Sequence, residues 1–207
     1  MTSTLFVEEL KGRTSGTNAN KVIVPSGQTL QVPTVTGNPS FTGGLKVNTV
    51  QNTAGTTAMT IDSSGRILTP ARPAFHVGTS LTQDISDSGN GGPTTTIRFN
   101  TEFFDIGNNF DHSGTYKFTA PIAGIYFFNI TALQAGNGAQ MTLSIRKNAS
   151  ATGRFIARTD GDGGEHHGCS VSAMFNLAVN DTVEGYLEGG RIYGDTNFSN
   201  FIGYLVG

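Results

Sequence analysis

The chain has 207 residues with a formal net charge of −2, and only 14% of its residues are charged, against about 25% in an ordinary globular chain. A slightly acidic chain offers no basic surface for nucleic-acid phosphates, which argues against a nucleic-acid partner. The single cysteine, Cys169, excludes an intrachain disulfide.

The N-terminus does not resemble a targeting signal. It shows no basic segment followed by an apolar one, so we expect no signal peptide. No apolar stretch reaches the ~18 residues that a membrane-spanning helix requires, so we expect no membrane insertion. The expectation is a soluble protein made in a cytoplasm.

The aromatic residues divide the chain into two segments. Of the 14 Phe and 5 Tyr, only Phe6 and Phe41 precede residue 71, and large aromatic side chains dominate core burial. Two prolines, Pro70 and Pro73, stiffen the backbone at the same place. We therefore predict a first segment at residues 1–72 and a globular domain at residues 73–207.

The first segment contains a near-repeat with a period of about 38 to 40 residues. Residues 22–30, VIVPSGQTL, match residues 60–68, TIDSSGRIL, and a shorter apolar run precedes each. Each unit is predicted to be a pair of short strands with a Ser-Gly turn. Neither has enough apolar residues to fold alone, so we expect pairing with the same segment of another chain. The alternative is an unstructured linker, which would lack such regularly spaced apolar residues.

The second segment is predicted to be all-β. Apolar runs of strand length recur along it, separated by clusters of Gly, Asn, Asp and Ser, a pattern typical of a sandwich or barrel. No window shows helical periodicity, so we expect little helix. The predicted strands are Ala74–Leu81, Thr95–Phe104, Thr115–Thr119, Gly124–Leu133, Gln140–Lys147, Arg154–Arg158, Cys169–Leu177, Thr182–Glu188 and Phe198–Val206.

Alternation within these strands indicates which faces are buried. It predicts buried faces through Tyr126, Phe128 and Ile130 and through Met141, Leu143 and Ile145, with Thr142, Ser144 and Arg146 on the opposite side. The last predicted strand is apolar on both faces, and such a strand needs a second covering layer. With so little surface charge, we expect a partner to provide it. The candidates for this contact are Phe201, Ile202, Tyr204 and Val206.

The order of aromatic residues in the second segment resembles the signature of the C1q/TNF-like jelly-roll family. The places of that signature are filled by Phe99, Asp105, Phe110, Phe118, Gly124, Tyr126 and Phe128. The spacing between Phe110 and Phe118 is one residue longer than in the family pattern, and Ile130 replaces a terminal aromatic residue. The resemblance covers Ala74 to Gly207. It implies a ten-strand jelly-roll sandwich that associates as a homotrimer.

The first segment is similar to the stalk regions of bacteriophage tail fibres, in runs such as LFVEELKGRTSG and VIVPSGQTLQV. The two resemblances together imply a virion structural protein, made in the host cytoplasm. In this interpretation it is a homotrimeric tail fibre or fibre tip. Residues 1–72 form a β-stalk that trimerises and attaches to other virion proteins, and the C1q-like head binds a host-surface polysaccharide or protein. The alternative is a capsid-decorating or head-fibre trimer without a specific receptor.

Loops held by a rigid sandwich are the usual place for recognition. The residues that we expect to contact a receptor are Asn90, Asn137, Asp160 and Asp162. One of these loops, residues 160–168 (DGDGGEHHG), is also a candidate metal site, because carboxylate oxygens are ligands for Ca²⁺. Its candidate ligands are Asp160, Asp162, Glu165, His166 and His167. The spacing is not that of an EF-hand and adjacent histidines on an extended chain face opposite ways, so a solvated loop without a cofactor is favoured.

No motif in the sequence predicts catalysis. There is no nucleophile elbow, zinc-protease motif or phosphate-binding loop, so we predict that the protein is not an enzyme. A virion-bound glycan hydrolase is the remaining enzymatic alternative, and the missing carboxylate pair argues against it. Cys169 opens a predicted strand, and we expect it to be a buried, inert thiol.

Overall fold

The computed structural model describes residues 47–84, 95–136, 140–158 and 166–207. Every regular element within these ranges is a β-strand, which confirms the predicted all-β class. The same ranges hold no helix of the length and apolarity needed to cross a bilayer. The strands are β1 (Thr49–Gln51), β2 (Thr57–Ile61), β3 (Ile67–Leu68), β4 (Ala74–Gly78), β5 (Gln83–Asp84), β6 (Thr95–Thr96), β7 (Thr101–Ile106), β8 (Lys117–Thr119), β9 (Gly124–Leu133), β10 (Thr142–Lys147), β11 (Phe155–Arg158), β12 (Gly168–Leu177), β13 (Thr182–Gly189), β14 (Arg191–Ile192) and β15 (Asn200–Leu205).

The first three strands form a small antiparallel sheet in the order β1-β2-β3. The turn between β2 and β3 is held by the Asp62 carboxylate, which accepts hydrogen bonds from the backbone N–H groups of Ser64 and Arg66. Gly65 takes φ of 79°, a conformation that favours glycine. The strand pair with a Ser-Gly turn predicted at residues 60–68 is therefore present. Its matching first unit lies outside the described residues, so the repeat stays a prediction.

Ten of the other strands form a sandwich of two antiparallel five-stranded sheets. We call the sheet with the order β12-β9-β15-β4-β7 the front sheet. The back sheet has the order β11-β10-β13-β6, with β8 also paired to β13. The remaining strands, β5 and β14, pair as a separate ribbon. This arrangement agrees with the ten-strand jelly roll that the family resemblance implied.

Aromatic rings from both sheets fill the space between them. Phe75 of the front sheet lies 5.3 Å from Phe118 of the back sheet, and Phe118 lies 5.6 Å from Phe128, measured between ring centroids. Pairs at these distances add stability beyond simple area burial. All five aromatic residues of the predicted motif are buried: Phe99, Phe110, Phe118, Tyr126 and Phe128.

The two polar or small positions of the motif also have structural reasons. The Asp105 carboxylate accepts a hydrogen bond of 2.7 Å from the backbone N–H of Phe110 and so fixes the turn after β7. A Cβ at Gly124 would lie 2.8 Å from Leu205 Cδ1 and 3.2 Å from the carbonyl oxygen of Gly207. The C-terminus can therefore pass beside the start of β9 only because this residue has no side chain.

Two expectations about strand faces are wrong. Phe201 was expected to face a partner, but it is fully buried in the sandwich core, 5.4 Å from Phe99. Its neighbours on the other face of β15, Ile202 and Tyr204, do point outward. On β10, Thr142 and Ser144 were expected on an open face, but both are buried, and the Ser144 hydroxyl donates to Glu188 at 2.8 Å.

The register of the front sheet defines two ends of the sandwich. The chain enters at Pro73, whose carbonyl accepts a hydrogen bond from Leu205 N, and we call this the Pro73 end. Gly78 pairs with Asn200 at the opposite end of β4, which we call the far end. The end of β9 and the start of β12 also lie at the far end, because Leu133 pairs with Gly168. The predicted boundary between residues 72 and 73 stays a prediction.

Replacement of Gly203 by Ala tests how tightly the two sheets pack. A Cβ there would lie 2.5 Å from Phe75 Cε1 and 2.6 Å from Phe128 Cδ1. Overpacking of this kind costs about 1–3 kcal/mol, so Gly203→Ala is expected to lower the free energy of unfolding in urea. Gly168→Ala is the matched control in a strand, because nothing lies within 4 Å of its Cβ. Equal stability of the two variants at one protein concentration would contradict this packing.

A pH series tests the contact that Asp181 makes between two turns. Hydrogen bonds from Asn148 and Lys147 lower the pKa of its carboxyl to about 2. A carboxylate with a lowered pKa contributes stability above its unfolded-state pKa of about 3.9, and this is lost as the pH falls through about 2. Urea unfolding is therefore expected to give a lower free energy of unfolding for Asp181→Asn than for the parent chain at neutral pH. Between about pH 3.9 and about pH 2, the variant should lose less of its free energy of unfolding than the parent chain does. If the free energy of unfolding depends on pH equally in Asp181→Asn and in the parent chain, Asp181 does not make this contribution.

Candidate functional site

Large apolar side chains are exposed on the outward face of the front sheet. Met174 and Phe103 are 54% and 50% exposed, although both belong to regular strands. We call this group of outward residues the apolar front face. Clusters of exposed apolar residues on a folded domain mark interaction surfaces. Its members are Phe103, Phe104, Ile106, Ile125, Met174 and Tyr204.

The rings of this face pack against one another. The His76 imidazole lies 4.5 Å from the ring of Phe103, and Phe127 lies 5.4 Å from Tyr204. A register shift between β4 and β7 falls between His76 and Val77, so that both Phe103 and Phe104 lie beside His76. Burial lowers the pKa of His76, which favours the neutral imidazole within an apolar surface.

The outward side of the front sheet is not apolar throughout. Asn129 of β9 donates hydrogen bonds to the hydroxyls of Ser170 and Ser172 on β12, at 3.0 and 2.9 Å. Asn129 lies in register with Ile202, His76 and Phe104, so this polar group on β9 and β12 lies beside the apolar front face.

The structure separates the four residues that we expected at a partner contact. Ile202 and Tyr204 lie on the outward side of the front sheet, and Val206, just beyond β15, is 41% exposed. Phe201 lies in the core. The exposure of Phe103 and Phe104 is not predicted from the sequence. Their adjacency was a signal for one of them, because two consecutive residues of a strand cannot both face the core, and the register shift beside His76 exposes the other.

Most of the expected receptor and metal residues lie outside the described residues, namely Asn90, Asn137, Asp160, Asp162 and Glu165. The described residues beside them meet at the far end. The backbone N–H of Gln134 donates to the carbonyl of His167 at 2.8 Å, and Ala135 N donates to the carbonyl of Arg191. Within the described ranges, no three His, Cys, Asp or Glu side chains come together as a metal site.

A cleft opens at this end between β9, the start of β12 and the segment before β15. It has a volume of about 420 Å³ and is lined by Leu133, His166, Tyr193 and Phe198. The ring of Tyr193 lies 5.4 Å from His166 and 6.4 Å from Phe198, and both pairs are edge-to-face. We call it the far-end cleft. Of the lining residues within the described ranges, only His166 is a site candidate in the sequence.

Buried hydrogen bonds hold the walls of the far-end cleft. The hydroxyl of Ser199, which is fully buried, donates to the carbonyl of Tyr193 at 2.9 Å and accepts from Leu133 N at 3.3 Å. The backbone N–H of Tyr193 donates to the carbonyl of Leu133 at 2.8 Å. A turn after Asp195 places Phe198, whose N–H donates to the carbonyl of Asp195. The aromatic lining is therefore fixed by the backbone.

Cys169 lies near this end on β12 and is 7% exposed. Burial raises the pKa of its thiol, so the nucleophilic thiolate is disfavoured. This location agrees with the expected buried thiol.

Comparison with known proteins places the sandwich in a family. Residues 74–206 match the family model described as "C1q domain". The globular domain of zebrafish complement 1qA protein is 20% identical over 65% of this chain and 98% of its own, with a TM-score of 0.51. Murine APRIL at pH 5.0 is 11% identical over 65% of this chain and 99% of its own, with a TM-score of 0.52. At these identities the two structures show a shared fold.

Removal of the Ser199 hydroxyl tests how the far-end cleft is built. Ser199→Ala leaves Leu133 N and the carbonyl of Tyr193 without this partner, and an unsatisfied buried group costs about 1–3 kcal/mol. We expect faster hydrogen exchange at the Leu133 amide and a lower unfolding temperature. Ser170→Ala, an exposed serine of the same sheet, is the control and should change neither. Unchanged exchange in Ser199→Ala would contradict the role of this hydroxyl.

Proposed function

The chain belongs to the C1q domain family through residues 74–206, and we propose that it is a homotrimeric virion structural protein, a bacteriophage tail fibre or fibre tip whose head binds the host cell surface. C1q-like domains in general form trimers and bind ligands, and they are typically binding or structural modules rather than enzymes. We infer a non-enzymatic role for this chain as well.

The apolar front face is the observation that supports assembly most directly. Its six members are each between 39% and 54% exposed in the isolated chain. Burying the exposed parts of six such side chains would contribute roughly 5–9 kcal/mol per protomer, before the entropy cost of association is subtracted. Since its six members carry no charge, the equivalent faces of two other chains, arranged around a threefold axis, are a suitable partner.

The small sheet β1-β2-β3 supports a stalk made of several chains. Val50, Ile67 and Leu68 are all exposed on it. No residue of its three strands is buried, so the sheet has no core of its own to make it stable alone. Pairing with the equivalent sheets of two other chains would cover these side chains. This is the arrangement expected of the phage-like stalk that residues 1–72 resemble, with its earlier part attached to other virion proteins.

The direction of the strands supports host binding at the far end. The chain enters the sandwich at the Pro73 end, so a stalk that precedes Pro73 leaves the opposite end free. The far-end cleft and the residues that border the expected receptor loops lie there. Recognition at this end leaves the apolar front face available for assembly, so the two roles do not compete for surface.

Native mass tests the assembly. Light scattering of the whole chain is expected to give about 65 kDa, three times the 21.8 kDa of one chain, with or without a chelator. Tyr204→Lys places a charge on the apolar front face, where desolvating it on assembly is costly, and should reduce the mass toward that of one chain. Phe155→Lys is the matched control, since Phe155 is 45% exposed on the back sheet against 44% for Tyr204. A monomeric parent chain, or equal masses for both variants, would contradict the proposal.

Immunogold labelling of intact virions tests the location. An antibody against the chain is expected to label the tail. Label over the capsid would favour the capsid-decorating alternative. Virions without any label would contradict the proposal that the protein is part of the virion.

A further inference from the structure

The far-end cleft has the composition of a binding site for a small ring. Of the four lining residues that the structure describes, three carry rings, and one of these, Phe198, is 48% exposed. Ligand sites are concave and mostly apolar, with a few polar groups that fix orientation. Here the polar groups of the lining are the Tyr193 hydroxyl and the His166 imidazole.

From these features we propose that the far-end cleft binds an uncharged sugar ring of a surface polysaccharide, an inference that rests on the proposed role of the head in host binding. A pyranose ring has a face of C–H groups and a rim of hydroxyls. The C–H groups are polarised by the neighbouring oxygens and pack against the negative faces of aromatic rings. The hydroxyls reach the polar groups of the lining and the solvent at the open side.

The charge of the lining selects among sugars. Leu133, Tyr193 and Phe198 are uncharged, and the lining residues that the structure describes include no lysine or arginine. A uronic acid would lose part of its hydration there without gaining a paired cation from these residues, which is unfavourable. A neutral hexose loses less, so the cleft favours the uncharged ring.

The site is formed before a ligand arrives. The hydrogen bonds of Ser199 and the backbone bonds between Tyr193 and Leu133 fix two walls. The Asp195 carboxylate also accepts a hydrogen bond of 2.8 Å from Asn197 N and so shapes the turn that carries Phe198. A preorganised site requires little ordering when the ligand binds, which raises affinity for a given contact area.

Saturation-transfer NMR with the whole chain tests the inference. The probes are methyl glycosides of glucose, galactose, mannose and N-acetylglucosamine, with methyl glucuronide as the charged counterpart of the glucoside. Transfer to the ring protons of at least one neutral glycoside is expected. Phe198→Ala should weaken that binding about tenfold or more, which corresponds to about 1.4 kcal/mol. Phe155→Ala, an equally exposed phenylalanine outside the cleft, should bind as the parent chain does.

A second variant distinguishes loss of a contact with the sugar from loss of the folded cleft. Tyr193→Phe keeps the ring and removes the hydroxyl, so it should retain transfer with a smaller loss of affinity than Phe198→Ala. The inference is overturned if no glycoside receives saturation, if Phe198→Ala binds unchanged, or if the glucuronide binds more tightly than the glucoside.

Light scattering on the same samples separates this inference from the proposed function. A trimer that labels the virion tail but binds no glycoside would leave the proposed function standing and remove the sugar site. Glycoside binding that depends on Phe198 in a monomeric chain would support the cleft and contradict the homotrimer.

Discussion

The close approach of three strands at Gly203 is the constraint on which the sandwich depends. Gly203 pairs with Phe75 on one side and Phe128 on the other, and the rings of these two residues occupy the space that its side chain would take. The last strand can therefore lie at the centre of the front sheet, between β9 and β4. Since residues of a strand alternate between faces, this register also buries Phe201 and places Ile202 and Tyr204 outside.

The same register divides the surface into regions with different properties. The outward face of the front sheet carries exposed aromatic and aliphatic side chains, which include Phe103 and Phe104 on β7, and beside them a hydrogen-bonded group of Asn129 and serines on β9 and β12. At the far end itself, the walls of the cleft are joined by buried hydrogen bonds around Ser199. The sandwich thus has a surface suited to a flat apolar partner and, with other residues, a concave surface suited to a small ligand.

The sequence predicts the sandwich well because its signals are local. Strand β9 begins at Gly124 and ends at Leu133 as predicted, since alternation and a glycine define it within ten residues. Phe201 was misplaced because a strand that is apolar on both faces gives no indication of which face is inward. Gly203, two residues further on the same face, was the signal of a close approach. The far-end cleft could not be predicted in this way, because residues 133, 166, 193 and 198 meet only through the pairing of distant strands.

The presence of two surfaces with no residue in common has a consequence for affinity. A shallow site that contacts one sugar ring gains only a few side-chain contacts, and binding by a single such site is weak. If the apolar front faces join three chains as proposed, the far ends of the three sandwiches point the same way, and each trimer carries three clefts. Binding at a second cleft then becomes intramolecular, which raises the overall affinity for a repeating polysaccharide without any new contact. A head of this design would gain its affinity from assembly and its selectivity from the lining of each cleft.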